Sequence, residues 1–523
     1  MITQNILVDH QTSSKKYFYY YLFFLTVFFS CHQQEEPKGD DRKPNIVFLF
    51  TDDQTYTAVS ALGNPVISTP NIDALFKNGT TFTHAYNMGA WNGAVCAASR
   101  AMLSSGRSLW HANDFRQNWI KGDSVALLQT WGKLMEQQGY DTYMTGKWHV
   151  DAPADKVFQY TTNVRPGMPK DQWDHYEMVR IFKEEVDGSK VSYEDVMPIG
   201  YNRPKDENDD SWSPTDSTYG GYWQGGKHWS EVLKDDAIQY IKEAKNRDHP
   251  FFMYLAFNAP HDPRQAPQKY LDQYPLEKIP LPKSWQAIYP DQAKIGNGPE
   301  LRDEALAPFP RTEYATRKHI QEYYALISHL DDQTGAILKA LKASGKMENT
   351  IIFFTADHGL AMGRHGLLGK QNLYDHSIRV PMAIMGQNIP VGKKIEKDIY
   401  LQDIMATSLE IAGIEKPDYL EFHSFLDLVK GKTDKGNYDA IYGAYVDFQR
   451  MIRKDNYKLI VYPKLEKVLL FDLKNDPEEI TNLANDEAYQ ATVKSLFEEL
   501  LLLQKQLDDP LDLNPIFQKI KFS

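Results

Sequence analysis

The polar residues with the most chemical potential in this chain recur in short clusters: Asp52-Asp53, Lys147 with His149, His261, Asp357-His358 and Lys370. Asp52, Asp53 and Asp357 supply hard oxygen ligands of the kind that suit a divalent cation such as Ca²⁺ or Mg²⁺, and without a cation such a group of carboxylates repels itself. Lys147, His149, His261, Arg100 and Lys370 bring the opposite character, donors for an anion and titratable groups for proton transfer. Cys96, one of only two cysteines, opens the run CAASRAMLSS, whose small residues predict a helix start. A helix N-terminus offers free backbone N–H groups to an anion. A cation site, anion donors and a nucleophile candidate together point to displacement at phosphorus or sulfur.

These residues must be carried to one place, and the apolar pattern predicts how. Asn45 to Phe50, Asp141 to Thr145, Phe251 to Phe257 and Thr350 to Thr355 are runs of strand length, ending in Thr51-Asp52-Asp53, Gly146-Lys147-Trp148-His149, Asn258-Ala259-Pro260-His261 and Ala356-Asp357-His358-Gly359. Unbroken apolar runs suit strands buried on both faces of a largely parallel sheet, and ligands of open α/β sheets bind outside the carboxyl ends of the strands. Turn chemistry alone explains any one such ending, but it does not favour His and Lys so consistently across the set. Helices are predicted over Ser230 to Lys245 and Glu313 to Ala343, the second stopped by Gly345.

The reading is therefore an α/β fold, a large mixed, mostly parallel sheet sandwiched by helices, over residues 43–435. Between Ala152 and Lys227 the regular pattern dissolves into a segment rich in Tyr, Trp, Pro, Gly and acidic residues, too long for a routine connection. It is either a functional loop system whose aromatics stack on sugars or a surface loop pinned by those aromatics. Over 436–523, strands at Ala440–Phe448, Tyr457–Tyr462 and Val468–Leu473 precede a helix at Asp486–Leu507, which predicts a smaller α+β subdomain with an antiparallel sheet.

The chain has 523 residues, 42% hydrophobic and 24% charged, with a net charge of −12. That balance gives no footprint for nucleic acid, and an anionic ligand would need a local basic pocket. At the N-terminus Lys15-Lys16 precede the apolar run Tyr17 to Phe29, which is short for a transmembrane helix and suits a signal segment. Ser30-Cys31 and the polar His32 to Glu36 that follow resemble a bacterial lipoprotein signal, with Cys31 lipidated and 32–42 a tether, although Phe28 stands where an aliphatic residue is usual. The alternative is an ordinary secretory signal. Either predicts an exported protein, in which only Cys31 could pair with Cys96 and processing would remove it.

Cys96-Ala97-Ala98-Ser99-Arg100, followed by Leu103 to Arg107, resembles the signature of the formylglycine-dependent sulfatases of the alkaline phosphatase superfamily. The resemblance extends in order through Lys43 to Asp53, Gly146-Lys147-Trp148-His149, Asn258 to His261, Thr355 to Gly359, Gly369-Lys370 through Pro381, and Leu470 to Leu483. It implies an alkaline-phosphatase-like fold and a sulfuric ester hydrolase in which Cys96 is oxidised to formylglycine, the hydrated aldehyde being the nucleophile. It further implies one Ca²⁺, Mg²⁺ being the lesser alternative, held by Asp52, Asp53, Asp357, His358 and the modified Cys96. Arg100 and Lys147 would orient the nucleophile, and His149 would serve as base for its regeneration. His261 would protonate the leaving alcohol, and Lys147 and Lys370 would clamp the sulfate. The implied partners are a sulfated glycan and a formylglycine-installing maturation enzyme, with membrane contact only through the lipid anchor. The chain departs from the pattern at Ala98, where proline is commonest, and at His358, where many relatives have Asn. The rival readings are a phosphoester or phosphonate hydrolase of the same superfamily and a carbohydrate-binding lipoprotein that has lost its chemistry.

Overall fold

Alternate residues of the first strand, β1 (Asn45–Thr51), enter two different hydrophobic clusters, Ile46, Phe48 and Phe50 on one face and Val47 and Leu49 on the other. That is the physical meaning of its unbroken apolar run: both faces are covered. The computed structural model describes residues 42–169, 173–186 and 190–520. The expected signal segment, Cys31 and nearly all of the tether lie outside them. Residues from Lys43 onward form one compact unit.

The strands that follow are β2 (Thr80–Tyr86), β3 (Gly89–Ala90), β4 (Asp141–Lys147), β5 (Tyr160–Arg165), the short hairpin β6 (Trp223–Gln224) and β7 (Lys227–His228), β8 (Phe251–Ala256), β9 (Thr350–Ala356), β10 (Arg379–Gly386), β11 (Lys393–Ile395) and β12 (Ile399–Tyr400). The main sheet runs β11-β2-β10-β9-β1-β8-β4-β5, with β12 also on β2. It is mostly parallel, and β10 is the strand that runs against its neighbours β9 and β2. One face is packed by helices Trp229–Lys245 and Glu313–Ala343, through Leu233, Tyr240, Leu326 and Leu330. The other is packed by the helix that carries Cys96, α1 (Val95–Ser105), through Ala98, Met102 and Leu103. Each large apolar side chain so buried contributes roughly 1.5–3 kcal/mol relative to exposure.

The C-terminal strands β13 (Ile441–Tyr445), β14 (Gln449–Lys454), β15 (Tyr457–Tyr462) and β16 (Lys467–Asp472) form an antiparallel meander. β3 pairs parallel to β13 at its far edge, so residues 89–90 belong to this sheet. The strand expected over Ala440–Phe448 is β13, which ends at Tyr445; the chain reverses at Val446, with φ 45°, and returns as β14, a strand the sequence reading did not include. The expected helix begins with a 3₁₀ turn at Glu487–Tyr489 and continues as an α-helix over Gln490–Gln506. The segment 152–227 keeps more regularity than its sequence suggests, because β5 within it pairs with β4 and extends the main sheet by an edge strand.

Candidate active site

Register places the chemistry. Phe50 and Thr51 of β1 stand beside Thr355 and Ala356 of β9, so the carboxylates that follow each strand emerge together. The Asp357 Oδ1 accepts from the backbone N–H of Asp53 and of His358, both at 3.1 Å. On the other side of β1, β8 leads to His261, and β4 beyond it ends on Lys147. β3 feeds α1 directly, and Arg100, one turn after Cys96, shares its face.

The charged groups interlock while buried, none more than 4% exposed. Arg100 Nε donates to Asp357 Oδ2 at 2.9 Å and its NH1 to the Lys147 carbonyl at 2.8 Å, which ties α1 to two strand ends. The Lys147 ammonium pairs with Asp52 Oδ2. Lys370 Nζ lies 2.9 Å from both oxygens of Asp53 and 3.5 Å from Cys96 Sγ. His358 Nε2 stands 3.1 Å from Asp53 Oδ1 and 3.3 Å from Cys96 Sγ, and its Nδ1 donates to the Gly359 carbonyl at 2.9 Å. His261 Nε2 is 3.8 Å from Asp53 Oδ2. The sequence-derived residues thus converge on Cys96. His149, at φ 54°, lines the same cleft as that sulfur.

Electrostatics follow from this crowding. Burial opposes ionisation of the Cys96 thiol, yet Lys147, Lys370 and His358, with the His149 hydrogen bond, hold it well below the usual thiol value. Burial disfavours a charged His358, but Asp357, Asp53 and Cys96 raise its imidazole to about 9. Burial raises Asp357, and His358 and Arg100 overcome it, holding the carboxyl at about 2. Asp52 is pushed well up, first by burial and then by Asp357 and Cys96, despite Lys147. Burial drives His149 down, toward its neutral form.

Asp52 Oδ1 has no hydrogen-bond partner although it is buried. Asp52, Asp53, Cys96 and His358 each offer a ligand atom within 4.8 Å of the others, so this cluster can hold a metal ion. An orphaned buried carboxylate oxygen, held up by like charge, is what a cation would satisfy. Asp357 stands beside that group, its Oδ1 3.6 Å from His358 Nε2 and its Oδ2 held by Arg100.

A cleft of about 500 Å³ opens on Cys96, Lys147, His149, His261 and Lys370 and is walled by Trp173, Tyr176, Arg302, Asp303 and Gln371. Sequence reasoning missed these wall residues. Asp303 lies 3.5 Å from Lys370 Nζ and accepts from Gln371 at 2.8 Å. Arg302 pairs with Asp262, next to His261. Tyr222 approaches His261 Nδ1 at 3.4 Å, and Tyr323 donates to the Asp53 carbonyl at 2.6 Å. Gln371 adjoins a motif lysine and was open to detection, whereas Arg302 and Asp303 lie in irregular chain with no periodic signal.

Fold and site define a hydrolase of the alkaline-phosphatase-like α/β class, built around a cysteine among carboxylates and cations. The sulfatase family model matches residues 44–414, and the N-sulphoglucosamine sulphohydrolase C-terminal model matches 363–506. The chain belongs to the sulfatase family and is a sulfuric ester hydrolase. It is similar to an arylsulfatase of Clostridium perfringens, 29% identical over 87% of this chain and 93% of that one. A solved structure in complex with its substrate D-glucosamine-2-N,6-O-disulfate superposes with a TM-score of 0.66 at 22% identity, covering 92% of this chain and all of the other. A phosphonate monoester hydrolase of Agrobacterium radiobacter has a TM-score of 0.65 at 21% identity, covering 90% and 96%.

Proposed function

We propose that this protein is an exported sulfatase that releases sulfate from a sulfated carbohydrate, with Cys96 matured to formylglycine and one Ca²⁺ held by Asp52, Asp53, Asp357, His358 and the modified residue. The observation that carries the reading is the setting of Cys96. Its Sγ lies 3.3–3.9 Å from His358, Lys370 and Asp53 in the lining of the cleft, in a chain with no second cysteine among the described residues. A bound cation would lower the pKa of the nucleophilic hydroxyl and draw charge from the sulfate oxygens. The fit rests on the orphaned Asp52 oxygen and on the tautomer of His358, whose Nδ1–H is committed to a carbonyl and whose Nε2 faces the cluster.

The remaining roles follow from position. Lys147 and Lys370, which line the cleft with Cys96 and both favour negative charge on it, bind the sulfate oxygens, fixed charges that need no reorganisation as negative charge develops. His261, on the cleft wall next to Asp53, donates a proton to the departing alcohol oxygen. His149, kept neutral by burial, accepts one when the nucleophile is regenerated. The glucosamine disulfate bound by the similar solved structure supports a carbohydrate substrate, and the Tyr17 to Cys31 sequence supports export.

Peptide mass spectrometry of residue 96, with parallel release of sulfate and phosphate from aryl esters, tests the proposal. The expected result is an aldehyde at 96, sulfate release far exceeding phosphate or phosphonate cleavage, and no turnover by a folded Cys96→Ala variant. An unmodified thiol in fully active enzyme, or preferred cleavage of the phosphonate, would overturn it.

A further inference from the structure

The 152–227 segment does more than cover the sheet edge. Between Ile199 and Gly221, with Asp262 and Pro263, it encloses a second cavity of about 590 Å³. This cavity begins one residue from the candidate leaving-group acid: His261 walls the catalytic cleft, while Asp262 lines the new cavity. Tyr222 bridges the two, its hydroxyl donating to the Asp262 carbonyl at 2.6 Å and lying 3.4 Å from His261 Nδ1. Trp173 of the cleft and Tyr201 of the cavity pack ring to ring, with centroids 4.8 Å apart, so the spaces are neighbours across one aromatic pair.

The lining indicates what could bind there. Its aromatic rings, Tyr201, Trp212 and Tyr219, offer flat apolar surface, and Tyr219 is 39% exposed. Asp216 commits Oδ1 to Thr218, at 2.8 Å from the backbone N–H and 2.7 Å from the hydroxyl, leaving Oδ2 to accept from a ligand hydroxyl. The cations in the region are neutralised. Arg203 forks onto both oxygens of Glu322 at 2.8 and 2.9 Å beneath the Trp212 ring, and Arg302 is paired with Asp262. With an exposed acid and no surplus positive charge, the cavity disfavours an anion. Apolar ring faces with a few directed acceptors suit a polyhydroxylated, uncharged ring. The same segment also exposes Tyr176, Val179 and Ile199, at 87%, 44% and 56%.

We propose that this cavity is a second saccharide subsite for a neutral, unsulfated sugar residue adjoining the one whose sulfate ester is cleaved, which makes the substrate an oligosaccharide. The proposal rests on the carbohydrate reading above. Thr218 is exposed on a short 3₁₀ turn, so Thr218→Trp obstructs the cavity without disturbing the core, and Tyr219→Ala removes a ring.

The full chain is assayed on 4-nitrophenyl sulfate and on defined sulfated tetrasaccharides of algal galactan and uronate-free glycosaminoglycan type, in which the neighbouring residue is neutral, each beside its sulfated monosaccharide. The best tetrasaccharide should exceed its monosaccharide at least about fivefold in kcat/KM, and both variants should erase that advantage through KM while aryl sulfate turnover is unchanged. Absence of a length preference, equal loss on the aryl ester, or preference for a tetrasaccharide also sulfated on the neighbouring residue would overturn the subsite while leaving the sulfatase reading intact. Aryl sulfate turnover with no carbohydrate ester cleaved would overturn both the subsite and the carbohydrate reading on which it rests.

Discussion

His149 shows how closely a single side chain is held. A β-carbon built on Gly167 would come within 2.6, 2.8 and 2.9 Å of three atoms of the His149 ring, so the glycine is the floor on which that imidazole lies flat. The ring itself sits on a left-handed backbone, at φ 54°, and has little room to retreat. Gly167→Ala should therefore lower kcat by roughly 10²-fold through displacement of His149, with thermal unfolding little changed. The kcat of the variant and its pH profile, compared with those of His149→Ala, check this; an unaltered kcat would remove Gly167 from the site. The contrast between the two residues explains what could be read in advance. Asp52, Lys147, His261 and Asp357 follow apolar runs, and a strand end announces a ligand site. Gly167, Arg302 and Asp303 act from irregular chain, where contact is set by tertiary packing and leaves no periodic trace.

Among the elements, β4 illustrates why motif residues need a particular backbone. Its register on β5 shifts between Thr145 and Gly146, a bulge that re-aims the chain just before Lys147. Gly146 takes φ 92°, and a β-carbon there would lie 1.9 Å from the Ala256 carbonyl oxygen of β8. Gly146→Ala combines left-handed strain with a backbone collision and should cost at least about 2 kcal/mol of stability, besides activity lost through Lys147. Urea unfolding measures this, and an unchanged midpoint would refute the argument. Central strands such as β1 and β9 were legible because burial on both faces demands continuous apolar sequence. β5, half exposed along the edge, and β2, whose TTFTHAY carries polar residues into the sheet, lack that signal. β14 went unread because its boundary is a turn at Val446, a residue that ordinarily extends a strand.

At the scale of the whole molecule, the catalytic sheet and the C-terminal sheet are joined through buried aromatic and ionic contacts, and these make stability depend on pH. His365 stacks on Tyr374 with centroids 4.1 Å apart, Tyr374 stacks on His376, and Tyr374 also packs against Phe471 of β16. His365 Nε2 is buried with no hydrogen-bond partner, and burial, aided by Arg364 and Lys458, pushes the imidazole down to about 4. The unfolded chain accepts this proton near the ordinary value of about 6.5 while the folded one refuses it, so stability is lost as pH falls from about 6.5 toward 4. Glu479 acts in the other direction. Burial outweighs Lys458 and raises it to about 7, so the folded state holds a proton that the unfolded state has released, and that contribution is lost as pH rises toward 7. The two effects partly cancel in the wild type, and a single variant separates them. His365→Phe keeps the stacked ring and removes the titration. Between pH 7 and pH 5 the wild type should lose about 2 kcal/mol more unfolding free energy than this variant, and coincident pH dependences in urea denaturation would show that His365 is not held neutral between the sheets.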